Sequence, residues 1–277
     1  MLAAVRRSVC LGHSGNRVAL FVYNPQLSFN YWKGDRMRYE DTPDAQEYGC
    51  AAVICTAVEA ESVSLRQIFG GGWSRIHVPG DTQRYYEATF VDKNGNGQLA
   101  ITCQQDVMGM PAASVLATKA TMLFRPRYLI MCGIAAGICK DADQMFGDVL
   151  VPSTAWDYST GKVVGPDKSE IHFGSIGFLP RLHSLRLDPE LKELMDELSK
   201  PDACEFHLQT DPLACGPSVM ANEFAVDLHV RSLLPSTVGL GMESYGVFLA
   251  ASNALEPRPK ALAIKSVCDY ADEEKND

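Results

Sequence analysis

The chain has 277 residues, 46% of them hydrophobic and 21% charged, the balance of a globular protein long enough to bury a substantial core. Its net charge of −9 argues against non-specific binding to nucleic acid or to an anionic membrane, though a few local donors still suffice for a small anionic substrate. The nine cysteines form no CxxC pair and no Cys/His cluster with zinc-ligand spacing, so they read as reduced thiols. The apolar stretches after Arg6 and Arg7 are too short for a signal-peptide core, and no run approaches the roughly 20 apolar residues of a membrane span. A cytoplasmic protein is expected.

Residues 1–47 are mixed and turn-rich, with one strand expected at 18–23, and read as an N-terminal extension of unassigned role. Residues 48–277 read as one domain. Residues 51–57 are a continuous apolar run, as in a strand buried on both faces. Residues 58–69 then suit a helix closed by Gly70, Gly71 and Gly72. Two strands, 85–91 and 98–103, are joined by the hairpin signal Asn94-Gly95-Asn96-Gly97. Residues 111–123 are helical, with Pro111 in the first turn. A buried strand at 128–132 ends in the turn Gly133-Ile134-Ala135-Ala136-Gly137. A strand at 148–152 is continued by 155–158, and 159–187 is loop-rich. Helices are expected at 188–198, 223–232 and 243–254, and short strands at 213–215 and 239–242. A last buried strand, 261–267, delivers Cys268 and Asp269 at its C-terminal end. Alternating strands and helices around one antiparallel hairpin imply an α/β fold: three layers, α/β/α, with a central mixed β-sheet. In such folds ligands bind beyond the strand ends.

Four segments at those ends carry candidate chemistry. In Thr56-Ala57-Val58-Glu59-Ala60-Glu61 two carboxylates sit at a helix start, where the dipole favours them with or without a catalytic role. Gly133 to Gly137 offers small residues that let backbone approach a ligand, and equally a plain tight turn. In Gly241-Met242-Glu243-Ser244-Tyr245-Gly246, Glu243 reads either as a helix cap or as a carboxylate gripping a ribose diol. In Lys265-Ser266-Val267-Cys268-Asp269-Tyr270-Ala271-Asp272, Asp269 emerges from an apolar strand. That suits an acid holding a proton near neutrality, and also a buried Asp satisfied by loop amides.

In order and spacing these segments resemble the nucleoside phosphorylase and nucleosidase superfamily, in the branch of the methylthioadenosine/S-adenosylhomocysteine nucleosidases. The ending Cys268-Asp269-Tyr270-Ala271-Asp272 followed by Lys275-Asn276-Asp277 is similar to phosphorylase-like domains of fungal and bacterial defence proteins. The resemblance covers residues 51–277 and implies a nucleoside phosphorylase-like fold and a homo-oligomer. It also implies roles. Asp269 would act as acid toward N7 of the purine, and Glu61 would activate the attacking water. Glu243 would hold the ribose hydroxyls, with Met242 packed on the sugar. Phe224 would stack on the base, and the backbone around Ala225 would meet the purine edge. Ala135 and Gly137 would form a glycine-rich turn under the ribose. Val58 and Met108 would line an apolar 5′ pocket. Two departures stand out: Cys268 replaces the serine that usually precedes the acid, and the chain ends eight residues past Asp269, short of a closing helix.

Cleaving a ribosyl–purine bond makes an oxocarbenium-like sugar and a poor leaving group. It therefore needs an acid on the base side and a base on the opposite face of the sugar. No metal and no organic cofactor is required. The Gly-Asp-Pro-x-Arg loop of bacterial phosphorylases is absent, and Glu61 occupies the matching position, which favours water over phosphate as nucleophile. The alternatives are a phosphate-dependent phosphorylase and a non-catalytic nucleoside-binding module. Arg66, Arg84, Lys119 and His172 are candidate phosphate ligands should the substrate be a nucleotide.

Overall fold

The computed structural model describes residues 8–11, 16–19, 48–68, 72–92, 94–138, 144–169, 171–173, 176–200, 203 and 206–274. Strands β1 (Ser8–Leu11) and β2 (Asn16–Ala19) pair antiparallel, and the remainder of the strand expected at 18–23 lies outside the described residues. The chain continues through β3 (Cys50–Thr56), α1 (Glu59–Ile68), β4 (Ser74–Ile76), β5 (Tyr85–Val91), β6 (Gly97–Gln104), α2 (Met110–Phe124) and β7 (Pro126–Gly137). Next come β8 (Val149–Leu150), β9 (Thr154–Asp157), β10 (Gly161–Val164), β11 (His172–Phe173), β12 (Ile176–Pro180), β13 (His183–Arg186) and α3 (Pro189–Leu198). The last elements are β14 (Leu208–Gln209), β15 (Leu213–Cys215), α4 (Glu223–Val226), β16 (Gly239–Gly241), α5 (Ser244–Ser252) and β17 (Lys260–Asp269).

One mixed sheet runs β13, β9, β15, β16, β7, β3, β6, β5, β4, and β17 joins it beside β7. Its centre is parallel: β3 lies between β6 and β7, and β17 follows β7 from Lys260 opposite Tyr128 to Asp269 opposite Ala136. Parallel strands need cover on both faces, and the side chains of Val53, Leu129, Met131 and Ala263 are fully buried there. Helices α2 and α5 pack against each other and the sheet, while α1 packs on β3, β6 and β7. The close α2–α5 approach requires Gly246, where a Cβ would stand 2.5 Å from the Met110 carbonyl oxygen. The architecture is the expected three-layer α/β/α with a central mixed sheet.

Two local expectations need correction. The segment Gly133 to Gly137 is not a turn but the second half of β7. Two ladders hold it extended: β17 pairs as far as Ala136, and β16 pairs antiparallel with Ala136 and Gly137. The stretch 159–187 holds β10, β12 and β11 in a small antiparallel sheet, then β13. Its Gly161 marks close packing rather than a loop, because a Cβ there would lie 2.4 Å from the Phe178 ring. The helix expected at 223–232 forms, as α4 followed by a π-helical turn, Asp227–Arg231. Elsewhere the bounds agree closely, and the Asp188 cap forms, accepting from the Glu190 N–H at 3.0 Å.

Candidate active site

The parallel strands run in one direction, β3 stopping at Thr56 and β7 and β17 continuing past it, and three acidic side chains lie at or just beyond their C-terminal ends. Glu61 is the third residue of α1, and its carboxylate reaches back over the helix start. Oε2 accepts from the N–H groups of Ala57 at 2.7 Å and Val58 at 3.1 Å. This is the reach-back half of a capping box, so the carboxylate does serve the helix start. The same carboxylate also spans to β7, where Oε1 accepts from Ile134 N–H at 2.9 Å. Gly133 makes the span possible: a Cβ on it would sit 2.1 Å from Glu61 Oε1. A buried carboxylate joining a helix start to a neighbouring strand goes beyond a surface cap.

Glu243 caps nothing with its side chain, although it occupies the N-cap position of α5. It is buried; Oε2 accepts from Lys265 Nζ at 3.2 Å, and Oε1 lies 3.4 Å from the Gly109 N–H. Lys265 has no exposed surface and stands in β17 directly opposite Gly133. Its ammonium therefore lies beside both carboxylates. Burial pulls Lys265 down, but Glu243 and then Glu61 more than offset this, holding it above the ordinary lysine value. Neighbouring Cys132 is pushed up to about 12, by burial first and by Glu61 second, so its thiol stays neutral. Lys265 is the member of this buried cluster that sequence reasoning missed. The signal was a lysine in the middle of a largely apolar strand, since a charge buried there must find a partner.

Asp269 ends β17 opposite Ala136, two residues along β7 from the Ile134 amide that holds Glu61. Two residues of strand span about 7 Å. Oδ1 accepts from Ala271 N–H at 3.0 Å, and Cys268 Sγ lies 3.2 Å from Oδ2. Ala271 is fully buried at φ +57, the left-handed region, and turns the chain after Asp269.

A family model described as the phosphorylase superfamily matches residues 51–277. The chain belongs to the phosphorylase superfamily. An uncharacterized protein, y4jS, of Sinorhizobium fredii is 31% identical over 80% of this chain, which spans only 55% of that protein. The fold is similar to that of a 5′-methylthioadenosine/S-adenosylhomocysteine nucleosidase from Neisseria meningitidis, solved with methylthio-immucillin-A, at TM-score 0.60 and 17% identity over 81% of this chain and 87% of that one. Similar too is a futalosine hydrolase mutant of Helicobacter pylori, at TM-score 0.62 and 17% identity over 81% and 88% of the two chains. A third is an adenine-bound putative nucleosidase of the first type from Borrelia burgdorferi, at TM-score 0.62 and 17% identity over 81% and 88%.

Within this superfamily fold the remaining expected residues divide. Val58 joins the Glu61 network through its N–H and packs partly on the core. Met242 is half-buried beside Glu243. Met108 is 55% exposed on the loop whose end, Gly109, contacts Glu243. Ala135 and Gly137 lie in β7 rather than in a turn; Ala135 accepts from Cys268 Sγ at 3.5 Å, and Gly137 lies under the Gln144 side chain. Phe224 is 72% exposed on α4, and the Ala225 N–H is taken by Asn222 Oδ1 at 2.9 Å, so neither joins the cluster by a hydrogen bond or a buried contact. Two candidate phosphate ligands are engaged elsewhere: Arg66 with Ser62 and the Tyr86 ring, and Lys119 with Asp81. Among the described residues no His/Cys/Asp/Glu group could hold a metal ion, and no helix is long and apolar enough to cross a membrane.

Proposed function

We propose that residues 48–277 form a nucleosidase domain that hydrolyses the N-glycosidic bond of a purine nucleoside or nucleotide. The observation that carries this reading is the Glu61–Lys265–Glu243 cluster standing two residues along β7 from Asp269. The sugar lies over β7 with the purine toward Asp269, which acts as acid at N7. Glu61 Oε1 accepts one backbone hydrogen bond and keeps a lone pair for the attacking water. Glu243 receives the ribose hydroxyls, with Met242 against the sugar. Lys265 offsets one of the two negative charges beside the developing oxocarbenium ion. That net negative charge stabilises the cationic sugar and opposes inorganic phosphate, which favours water. The adenine and methylthio-immucillin-A bound to the solved relatives support a purine substrate.

The test is adenine release from adenosine, methylthioadenosine, AMP and ATP, with and without phosphate. Release without phosphate is expected. Release only with phosphate would identify a phosphorylase, and none from any substrate at high protein concentration would leave a binding module. Gly133→Ala is a second test of the geometry, since its Cβ must displace the Glu61 carboxylate. We expect at least about a hundredfold loss of kcat with the fold retained, checked by adenine release beside circular dichroism.

A further inference from the structure

Residues adjacent in a regular strand point to opposite faces, so their side chains do not meet. Cys268 and Asp269 break this rule: Sγ lies 3.2 Å from Oδ2. The cause is a register shift in the β17–β7 ladder, where Val267 faces Ala135 and Asp269 faces Ala136. Cys268 is the extra residue of a bulge, the device that re-aims side chains at the end of a strand. The Ala135 carbonyl oxygen lies 3.5 Å from Sγ and competes for the thiol's single proton, which the shorter contact to Oδ2 favours. Asp269 is thus gripped on both oxygens, by the Ala271 N–H on one and the thiol on the other.

We propose that Cys268 is a positioning residue that orients Asp269 through a deliberately weak hydrogen bond. This rests on the reading of Asp269 as the acid. A donor to a carboxylate favours its charged form, which works against an acid that must carry a proton. A hydroxyl in this place would orient Asp269 and hold it charged. A thiol donates weakly, so it orients the carboxylate while costing less of its ability to take up a proton. Among the described residues, the charged groups on the elements around this turn include Asp148, Glu223, Arg231, Asp272, Glu273 and Glu274, with Tyr270 next in the chain; β7 contributes only apolar residues from Ile134 to Gly137. None of these changes when Cys268 is replaced.

The experiment compares wild type, Cys268→Ser and Cys268→Ala. Cys268→Ala is expected to lower kcat about tenfold with KM within twofold, because orientation is lost. Its alkaline limb should move to higher pH, because the charged form has lost a donor. Cys268→Ser should keep most of kcat, with its alkaline limb moved to lower pH by roughly half a unit or more. Coincident limbs, or the reverse order, would overturn the proposal. If wild type releases no adenine, the nucleosidase reading fails by itself. The same three proteins are then compared by the pH titration of the Asp269 carboxyl carbon in NMR. The midpoints should fall in the order alanine, cysteine, serine from high to low, and equal midpoints would overturn the inference.

Discussion

Glu61→Gln and Asp269→Asn are each expected to cut kcat for adenine release by about a hundred- to ten-thousand-fold, the usual worth of one general acid or base. Both changes keep shape and remove proton chemistry. Glutamine at 61 can still accept from Ala57 and Val58 with its oxygen, but its amide then faces the Ile134 N–H, donor against donor. That mismatch costs about 1–3 kcal/mol, so some stability loss should accompany Glu61→Gln. Asp269→Asn avoids most of this. Its oxygen can replace Oδ1 toward Ala271 N–H, and its amide meets the Cys268 sulfur, a weak acceptor. The two variants should therefore lose similar activity but differ in thermal stability. Calorimetry beside the adenine assay reads both, and an Asp269→Asn variant of full activity would remove Asp269 from the mechanism.

Lys265→Met is expected to destabilise the protein by about 3–5 kcal/mol, the range for removing one partner from a buried ion pair. Methionine matches the length of the lysine stem but leaves Glu243 buried without its cation, and Glu61 without the charge beside it. In a chain of this size such a loss lowers Tm on the order of 10 °C. The pH dependence has a definite sign. Lys265 is raised in the folded state, so its contribution is complete below the ordinary lysine value of 10.5 and disappears only as pH climbs through the folded value. The contribution of Lys265 to wild-type stability should therefore be constant from pH 6 to 9. Adding Glu243→Gln should restore part of the lost stability, because the second change removes the orphaned charge. A deficit that vanishes at neutral pH would show that the pair is not formed.

The acidic residues were legible because each stands where an apolar strand gives way to a helix or turn, and a carboxylate there needs a polar reason. Lys265 had the same kind of signal, a charge inside an apolar run, but its partner Glu243 comes 22 residues earlier and on another element. Only the folded sheet brings them together. The run Gly133 to Gly137 was misread because small residues suit both a tight turn and a close-packed strand. Ladder partners more than a hundred residues away in sequence decide between them, and here they keep β7 extended. Phe224 was named because the resemblance implies an aromatic residue that stacks on the base, and α4 places it on the surface. The bulge at Cys268 left no mark in the sequence beyond the thiol itself, because a register shift is a property of two strands.

The most direct test of hydrolysis at this site is the fate of the sugar when adenosine is turned over in water labelled with oxygen-18. Free adenine and ribose carrying one labelled oxygen are expected, at a rate indifferent to phosphate and cut at least about a hundredfold by Glu61→Gln. Ribose 1-phosphate formed only when phosphate is present, or no sugar product at protein concentrations equal to the substrate, would contradict it.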